Sequence, residues 1–259
     1  MVKLGHGIFL AVFVSTLMIL AMPMANASYT VKNLNVTMTL NQNTSAHVIE
    51  SLQVVISNQS VSQYSTNRVA LNLTLSNWQA LIGPLLVQHI ISPSGSIYNF
   101  KFLPGPIVNQ NGQHIANIIL AYDVDNVTSV NETGPRVFNY RFNSKVFNFE
   151  HGVSGEILTP NTTLTITMPQ GSQIQSVYPI PDLPVFAFTN DYKNVTTVSW
   201  LNGEPLTKFT LVFIIKQSIE AEVSIFFATA YKDLGIFTYI IIALAVVLSI
   251  FYIYLRASK

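Results

Sequence analysis

The chain has 259 residues, of which 49% are hydrophobic and only 10% charged, with a formal net charge of +1 and no cysteine. Soluble proteins carry about 25% charged residues, so this is not an ordinary cytosolic composition, and its aliphatic content excludes disorder. Without cysteine there are no disulfides, thiolate nucleophiles or cysteine-held metals, and a balanced charge argues against a nucleic-acid binder.

From Met1 to Ala27 a single lysine, Lys3, precedes an apolar run that ends at Met22-Pro23 and an Ala25-Asn26-Ala27 sequence. A positive start, a short apolar stretch and an Ala-x-Ala site describe a secretory signal peptide over 1–27, with cleavage before Ser28. An uncleaved N-terminal anchor is the alternative.

Thr30 to Leu40 alternates, with Leu34, Val36, Met38 and Leu40 set against Asn35, Thr37 and Thr39. Period two with threonine on the wet side predicts a half-buried strand. After the polar turn Asn41–Ser45 a second strand is expected over Ala46–Ser57. Further strands are expected at Val69–Leu75, Leu86–Ile91, Ile97–Leu103, Ile115–Tyr122 and Val137–Phe142, with a short helix around Trp78–Ile82. The second half repeats the style at Thr162–Met168, Ile174–Tyr178, Val185–Phe188, Val195–Leu201 and Lys208–Ile215. An Asn202-Gly203 turn precedes the last of these, and Gln217–Ala230 reads either as strand or as a stalk helix. Short strands punctuated by turns predict an all-β ectodomain of tandem immunoglobulin-like β-sandwiches. The first module is expected at 28–128 and the second at 129–230, with a seam in the polar stretch Asn126–Pro135. One elongated sandwich is the other reading.

Gly235 to Leu255 is free of charge, flanked by Lys232 and Asp233 before and by Arg256 and Lys259 after. Twenty residues at about 1.5 Å each cross a hydrocarbon core of about 30 Å, so a transmembrane helix is expected over 234–255. The basic tail, 256–259, belongs on the cytoplasmic side and the remainder outside. Between the two ends, Ser28 to Ala230 holds nine Lys or Arg and eleven Asp or Glu, a net of −2.

Asn-x-Ser/Thr motifs stand at Asn35, Asn43, Asn58, Asn72, Asn126, Asn131, Asn161 and Asn194, none with proline in the middle. Chance supplies roughly half that number, so the excess on an exported chain points to N-linked glycans. The competing explanation is that Asn and Thr replace charge as the surface's polar groups. A surface with few titrating groups also predicts tolerance of acid.

Catalytic constellations are thin. His47 and Glu50, three apart on a strand, point to opposite faces. Asp123 and Asp125 share a face near Asn126, a conceivable calcium corner, although an acidic strand end explains them as well. The stretch His151–Glu156 lacks the spacing of a nucleophile turn. His89 and His114 fall in apolar strands, and Trp78 and Trp200 read as core anchors rather than sugar platforms. No metal or other cofactor is expected.

The succession LNVTMTLNQNTSAHVIESLQVVIS, TLTITMPQGSQIQSVYPIP and VTTVSWLNG resembles the ectodomains of uncharacterised archaeal membrane-anchored secretory proteins. The resemblance spans most of Ser28 to Leu255 and implies an envelope location with no catalytic residues. The expectation is a non-enzymatic, single-pass, glycosylated envelope protein. It would be extracellular but for its tail, with membrane, N-linked glycans and other envelope proteins as partners and no nucleic acid. Two alternatives are an accessory subunit of a membrane enzyme or transport complex, and a surface hydrolase that would need several of His47, His89, His114, His151 and the acidic residues in one pocket.

Overall fold

A computed structural model describes residues 29–257 except 71, 94–95, 154, 185–191, 193–194 and 236. The expected signal segment, the strand expected at Val185–Phe188 and the acceptor Asn194 lie outside the described residues.

The molecule is mostly β. In the first half, β1 (Tyr29–Leu40) and β2 (Ala46–Ile56) are followed by α1 (Val61–Val69) and α2 (Leu75–Ile82). Then come β3 (Ile97–Pro104), β4 (Val108–Gln110), β5 (Gln113–Val124), β6 (Thr128–Gly134) and β7 (Val137–Phe142). The second half holds β8 (Glu150–Gly152), β9 (Gly155–Ile157), β10 (Thr162–Thr167), β11 (Ser172–Tyr178), β12 (Thr197–Leu201) and β13 (Thr210–Lys216). Two helices, α3 (Ile219–Leu234) and α4 (Phe237–Ala257), close the chain.

The largest sheet runs β12-β10-β1-β2-β5-β3, with β4 paired to β5; a second sheet runs β11-β13-β7-β6, and β8-β9 is a hairpin. In β1 the alternation holds residue by residue: Leu34, Val36, Met38 and Leu40 are buried, and the residues between them face outward. A linear division at residue 128 is not what forms. Strands β10 and β12, from the second half, join the sheet of β1, β2, β5 and β3. The compact units interleave instead: of the described residues, one gathers those up to Val36 with Ile49–Gln88 and Phe100–Ala121, the other Thr37–Val48, His89–Asn99 and those from Tyr122 onward. The physical reason is strand length. β1 has 12 residues and β2 has 11, long enough for each to serve both units. The expected seam at Asn126–Pro135 is also occupied by a strand, β6, which pairs with β7 from Thr128↔Phe142 to Gly134↔Val137.

The first unit is a sheet backed by helices rather than by a second sheet. Tyr64 of α1 and Trp78 of α2 are buried and meet edge to face at 5.2 Å, and Trp78 meets Phe102 of β3 at 5.7 Å. The Tyr64 hydroxyl donates to the Gly105 carbonyl at 2.9 Å, and burial pushes its phenol pKa up to about 12. Of Val69–Leu75, expected as a strand, Val69 is instead the last residue of α1 and Leu75 the first of α2. A capping box decides this: the Thr74 hydroxyl accepts from the Asn77 N–H, while the Asn77 side chain accepts from the Thr74 N–H. Five alternating residues cannot outweigh a helix start that satisfies two orphan donors. Leu86–Ile91 likewise forms no strand beyond the bridge Ile90↔Phe147.

The second unit has two sheets with aromatic rings between them. Trp200 of β12, fully buried, lies 4.9 Å edge to face from Phe209, which in turn meets Phe142 at 5.3 Å and Phe147 at 4.9 Å. The Trp200 indole N–H donates to the Pro179 carbonyl at 3.0 Å, so its polar atom is not orphaned. On the outer face of β10 and β12 the hydroxyl pairs Thr165–Ser199 (2.9 Å) and Thr167–Thr197 (3.2 Å) join neighbouring strands.

Gln217–Ala230, open between strand and helix, lies largely in α3, and the helix expected from 234 begins at Phe237 after a break at Gly235. Among the described residues, no helix is long and apolar enough to cross a membrane.

Candidate functional site

Seven of the eight acceptor asparagines are described, and all seven are exposed: Asn35, Asn43, Asn58, Asn72, Asn126, Asn131 and Asn161. Asn35 sits on the outward face of β1 and Asn131 in β6, whereas the other five lie in turns or at element ends. An exposed amide is what glycan transfer requires. A second use of asparagine is visible beside it. Of eight non-glycine residues with positive φ among the described residues, five are Asn: Asn99, Asn111, Asn126, Asn161 and Asn202. Asn tolerates this left-handed region better than other side chains. Part of the asparagine excess therefore serves turns, including two acceptor positions. At Asn43 the side-chain oxygen accepts from the Ser45 N–H at 3.2 Å and the Ser45 hydroxyl at 2.7 Å, which fixes the β1–β2 turn.

One polar corner gathers residues from three adjacent strands. His47 Nδ1 of β2 lies 2.6 Å from Asp123 Oδ1 of β5, and Asn99 Nδ2 of β3 donates to Asp123 Oδ2 at 2.6 Å. Next to it the Tyr98 hydroxyl donates to Asp125 Oδ1 at 2.8 Å. That bond raises the Tyr98 pKa, since the phenol proton is shared with a carboxylate. The two aspartates singled out as a calcium corner are thus each occupied by protein donors. Among the described residues, no group of three or more His, Asp or Glu could hold a metal ion. The sequence offers no signal for His47 and Asn99 as partners of Asp123, because 76 and 24 residues separate those contacts.

The other histidines have different surroundings. His89 is buried against Phe149 at 5.1 Å, its carbonyl accepting from the Asn148 N–H. His114 is half-buried at the start of β5 opposite Asn109, and His151 is exposed in the β8–β9 hairpin opposite Glu156. Burial holds the Glu156 carboxyl above its ordinary pKa, and its Oε2 is buried without a hydrogen-bond partner.

A shallow groove of about 300 Å³ opens beside Gly105-Pro106. Gln53, Gln110 and Asn117 line it with Val108 and Ile115, and none of its described lining residues is ionisable. Its chemistry suits an uncharged polar surface rather than an ion.

No protein-family model matches the chain, and no curated protein matches it. Among solved structures, the NMR structure of the folded domain of LppM from Mycobacterium tuberculosis aligns with 72% of this chain and 90% of its own, at 7% identity and a TM-score of 0.25. That score is too low to carry a fold assignment.

Proposed function

We propose that the protein is a single-pass, glycosylated component of a cell envelope that acts by binding neighbouring proteins rather than by catalysis. The observation that carries this reading is α4, a continuous helix of 21 residues, FTYIIIALAVVLSIFYIYLRA, whose first charge is Arg256. At 1.5 Å per residue it is about 31 Å long, the thickness of a hydrocarbon core. Described apolar side chains along it, including Leu244, Val247 and Ile253, are exposed. Water would penalise that surface and lipid would not.

In this reading residues 1–27 direct export, the β-rich body is extracellular as a sandwich of immunoglobulin-like character, and 256–259 is cytoplasmic. Exposure of all seven described acceptors supports glycosylation, and the resemblance of the sequence to archaeal secretory proteins supports the envelope. A surface wetted by amides and hydroxyls, with a groove that lacks charge, suits recognition of uncharged polar surfaces.

The test is fractionation of cells expressing the full chain beside a variant ending at Lys232. The full chain should stay in membranes through alkaline carbonate washing, and the shortened chain should appear in the medium. A full chain washed into the soluble fraction would sink the anchor. Crosslinking in intact cells followed by mass spectrometry then identifies neighbours and occupied Asn sites together. Co-purification with one polytopic protein in fixed ratio would favour an accessory subunit instead.

A further inference from the structure

Helices α3 and α4 do not run on as one. Gly235 between them has φ +57°, the left-handed conformation of a helix C-cap, and its N–H donates to the Tyr231 carbonyl at 2.7 Å. Beyond this cap the rings of Tyr231 and Tyr239 meet edge to face, 5.7 Å apart. In one straight helix, residues eight apart are separated by about 12 Å along the axis. Both Cα–Cβ bonds would tilt the same way, so side-chain reach does not close that gap. Phe227 and Ile242 would be about 22 Å apart on a straight axis. They line one apolar hollow of about 350 Å³ together with the two tyrosines. The chain turns an elbow at Gly235, and the hollow lies in its bend.

A stripe leads away from that hollow along α3. Val223, Phe227 and Tyr231 recur every four residues on one side, and Val223 and Tyr231 remain 46% and 53% exposed. Thr229 follows Phe227 by two residues, about 200° round the helix, and Lys232 and Asp233 lie on the same polar flank.

We propose that α3 lies in the plane of the bilayer interface, with this stripe turned toward the acyl chains and a lipid chain filling the elbow hollow. The proposal rests on reading α4 as the membrane span. Lipid is favoured by continuity, since the stripe opens onto a hollow whose far wall, Tyr239 and Ile242, belongs to the outer turns of that span. Area argues against a second copy of the chain. A specific protein interface buries about 1,200–2,000 Å² over both partners. With side chains of at most about 250 Å² each and roughly half of each exposed, the stripe offers at most about 350 Å² per copy, or about 700 Å² for two copies. Tyrosine suits this depth, with its ring in the apolar layer and its hydroxyl at the headgroups. Two residues, Gln217 and Ser218, separate β13 from α3. The sheet containing β13 is therefore held close to the headgroups instead of being lifted on a stalk.

The absence of cysteine makes the test direct. Full-length protein carrying one of V223C, T229C or V247C is nitroxide-labelled and reconstituted in phosphatidylcholine vesicles, and accessibility to oxygen and to a water-soluble nickel chelate is measured. Expected is a shallow acyl depth at 223, aqueous exposure at 229 and a deep position at 247. Equal aqueous exposure at 223 and 229 with 247 still deep would overturn the in-plane helix and leave the span standing. Aqueous exposure at 247 would overturn both. Spin–spin broadening at 223 that grows with protein density would assign the stripe to a second copy and overturn the lipid assignment.

Discussion

The Asp123 carboxylate is held from both sides: one oxygen lies 2.6 Å from His47 Nδ1 and the other accepts from Asn99 at 2.6 Å. The three residues belong to β5, β2 and β3, consecutive in the largest sheet. A carboxylate facing Nδ1 places that proton on Nδ1 in the neutral ring and turns Nε2 away from the pair. The corner ties strands together, with both Asp123 oxygens and Asp125 Oδ1 engaged by side chains of the protein.

Replacing Asp123 by Asn should therefore weaken the fold modestly. His47 is nearly half exposed, so the pair contributes within about 1 kcal/mol, as surface pairs do. Thermal unfolding of the full-length protein should show a drop of a few degrees for Asp123→Asn and little change for His47→Gln, which retains a donor. Calcium should shift neither midpoint. A rise in the wild-type midpoint with millimolar calcium would show that the corner binds the ion after all.

Trp200 should be the costliest single position in the second unit. It is fully buried, packs against Phe209 and donates to the Pro179 carbonyl. Trp200→Ala should cost about 3–5 kcal/mol through lost burial and an unfilled cavity. Trp200→Phe keeps a ring but abandons the carbonyl, costing about 1–3 kcal/mol. Denaturant titration orders the two, and equal midpoints for Phe and Ala would show that the hydrogen bond rather than the packing dominates.

Gly105 owes its identity to contact rather than to conformation. A Cβ there would sit 2.5 Å from the Asn117 backbone oxygen, to which the Gly105 N–H already donates at 2.7 Å. Backbone cannot swing aside as a side chain does, so Gly105→Ala should cost about 1–3 kcal/mol through overpacking. Gly112→Ala meets no atom within 4 Å, but its φ of +77° adds strain of its own, of about 1 kcal/mol. Unfolding midpoints that rank Gly112→Ala below Gly105→Ala would refute the contact argument.

How far the sequence reveals this molecule depends on the range of the interaction concerned. The β1 alternation from Leu34 to Leu40 is a local pattern and is realised in place. The Asn202-Gly203 turn is local too, with φ of +27° and +77°. Helix α1 is hidden because Tyr64 is its one buried residue, leaving no apolar periodicity to detect. Sheet order is hidden for a different reason. Nothing near Leu164 or Trp200 records that β10 and β12 would join β1, since such pairing depends on complementary edges far apart in the chain. The acceptor sites were legible as motifs, but the left-handed backbone at Asn126 and Asn161, which gives those asparagines a second purpose, was not.

The fold should hold better in acid than an ordinary surface would. Glu156 is half-buried, with desolvation holding its carboxyl above the usual range, and a backbone hydrogen bond from Phe149 and the neighbouring His151 only partly oppose that. Glu204 is raised as well, by desolvation and by the nearby Asp182 charge. A carboxyl whose folded pKa exceeds its unfolded value binds its proton more tightly in the folded state. Its contribution is then complete below the ordinary carboxylate pKa and is lost as pH rises through the raised folded value. Both groups thus favour the folded chain as pH falls, opposite to the carboxylate pairing that drives acid unfolding. Glu156→Gln removes one of them and gives the buried Oε2 position a neutral amide. Melting temperatures measured from about pH 3 to pH 7 should show the variant gaining on the wild type as pH rises, with the gap smallest in acid. Parallel profiles would mean that Glu156 is solvated in both states and that acid tolerance, if present, has another source.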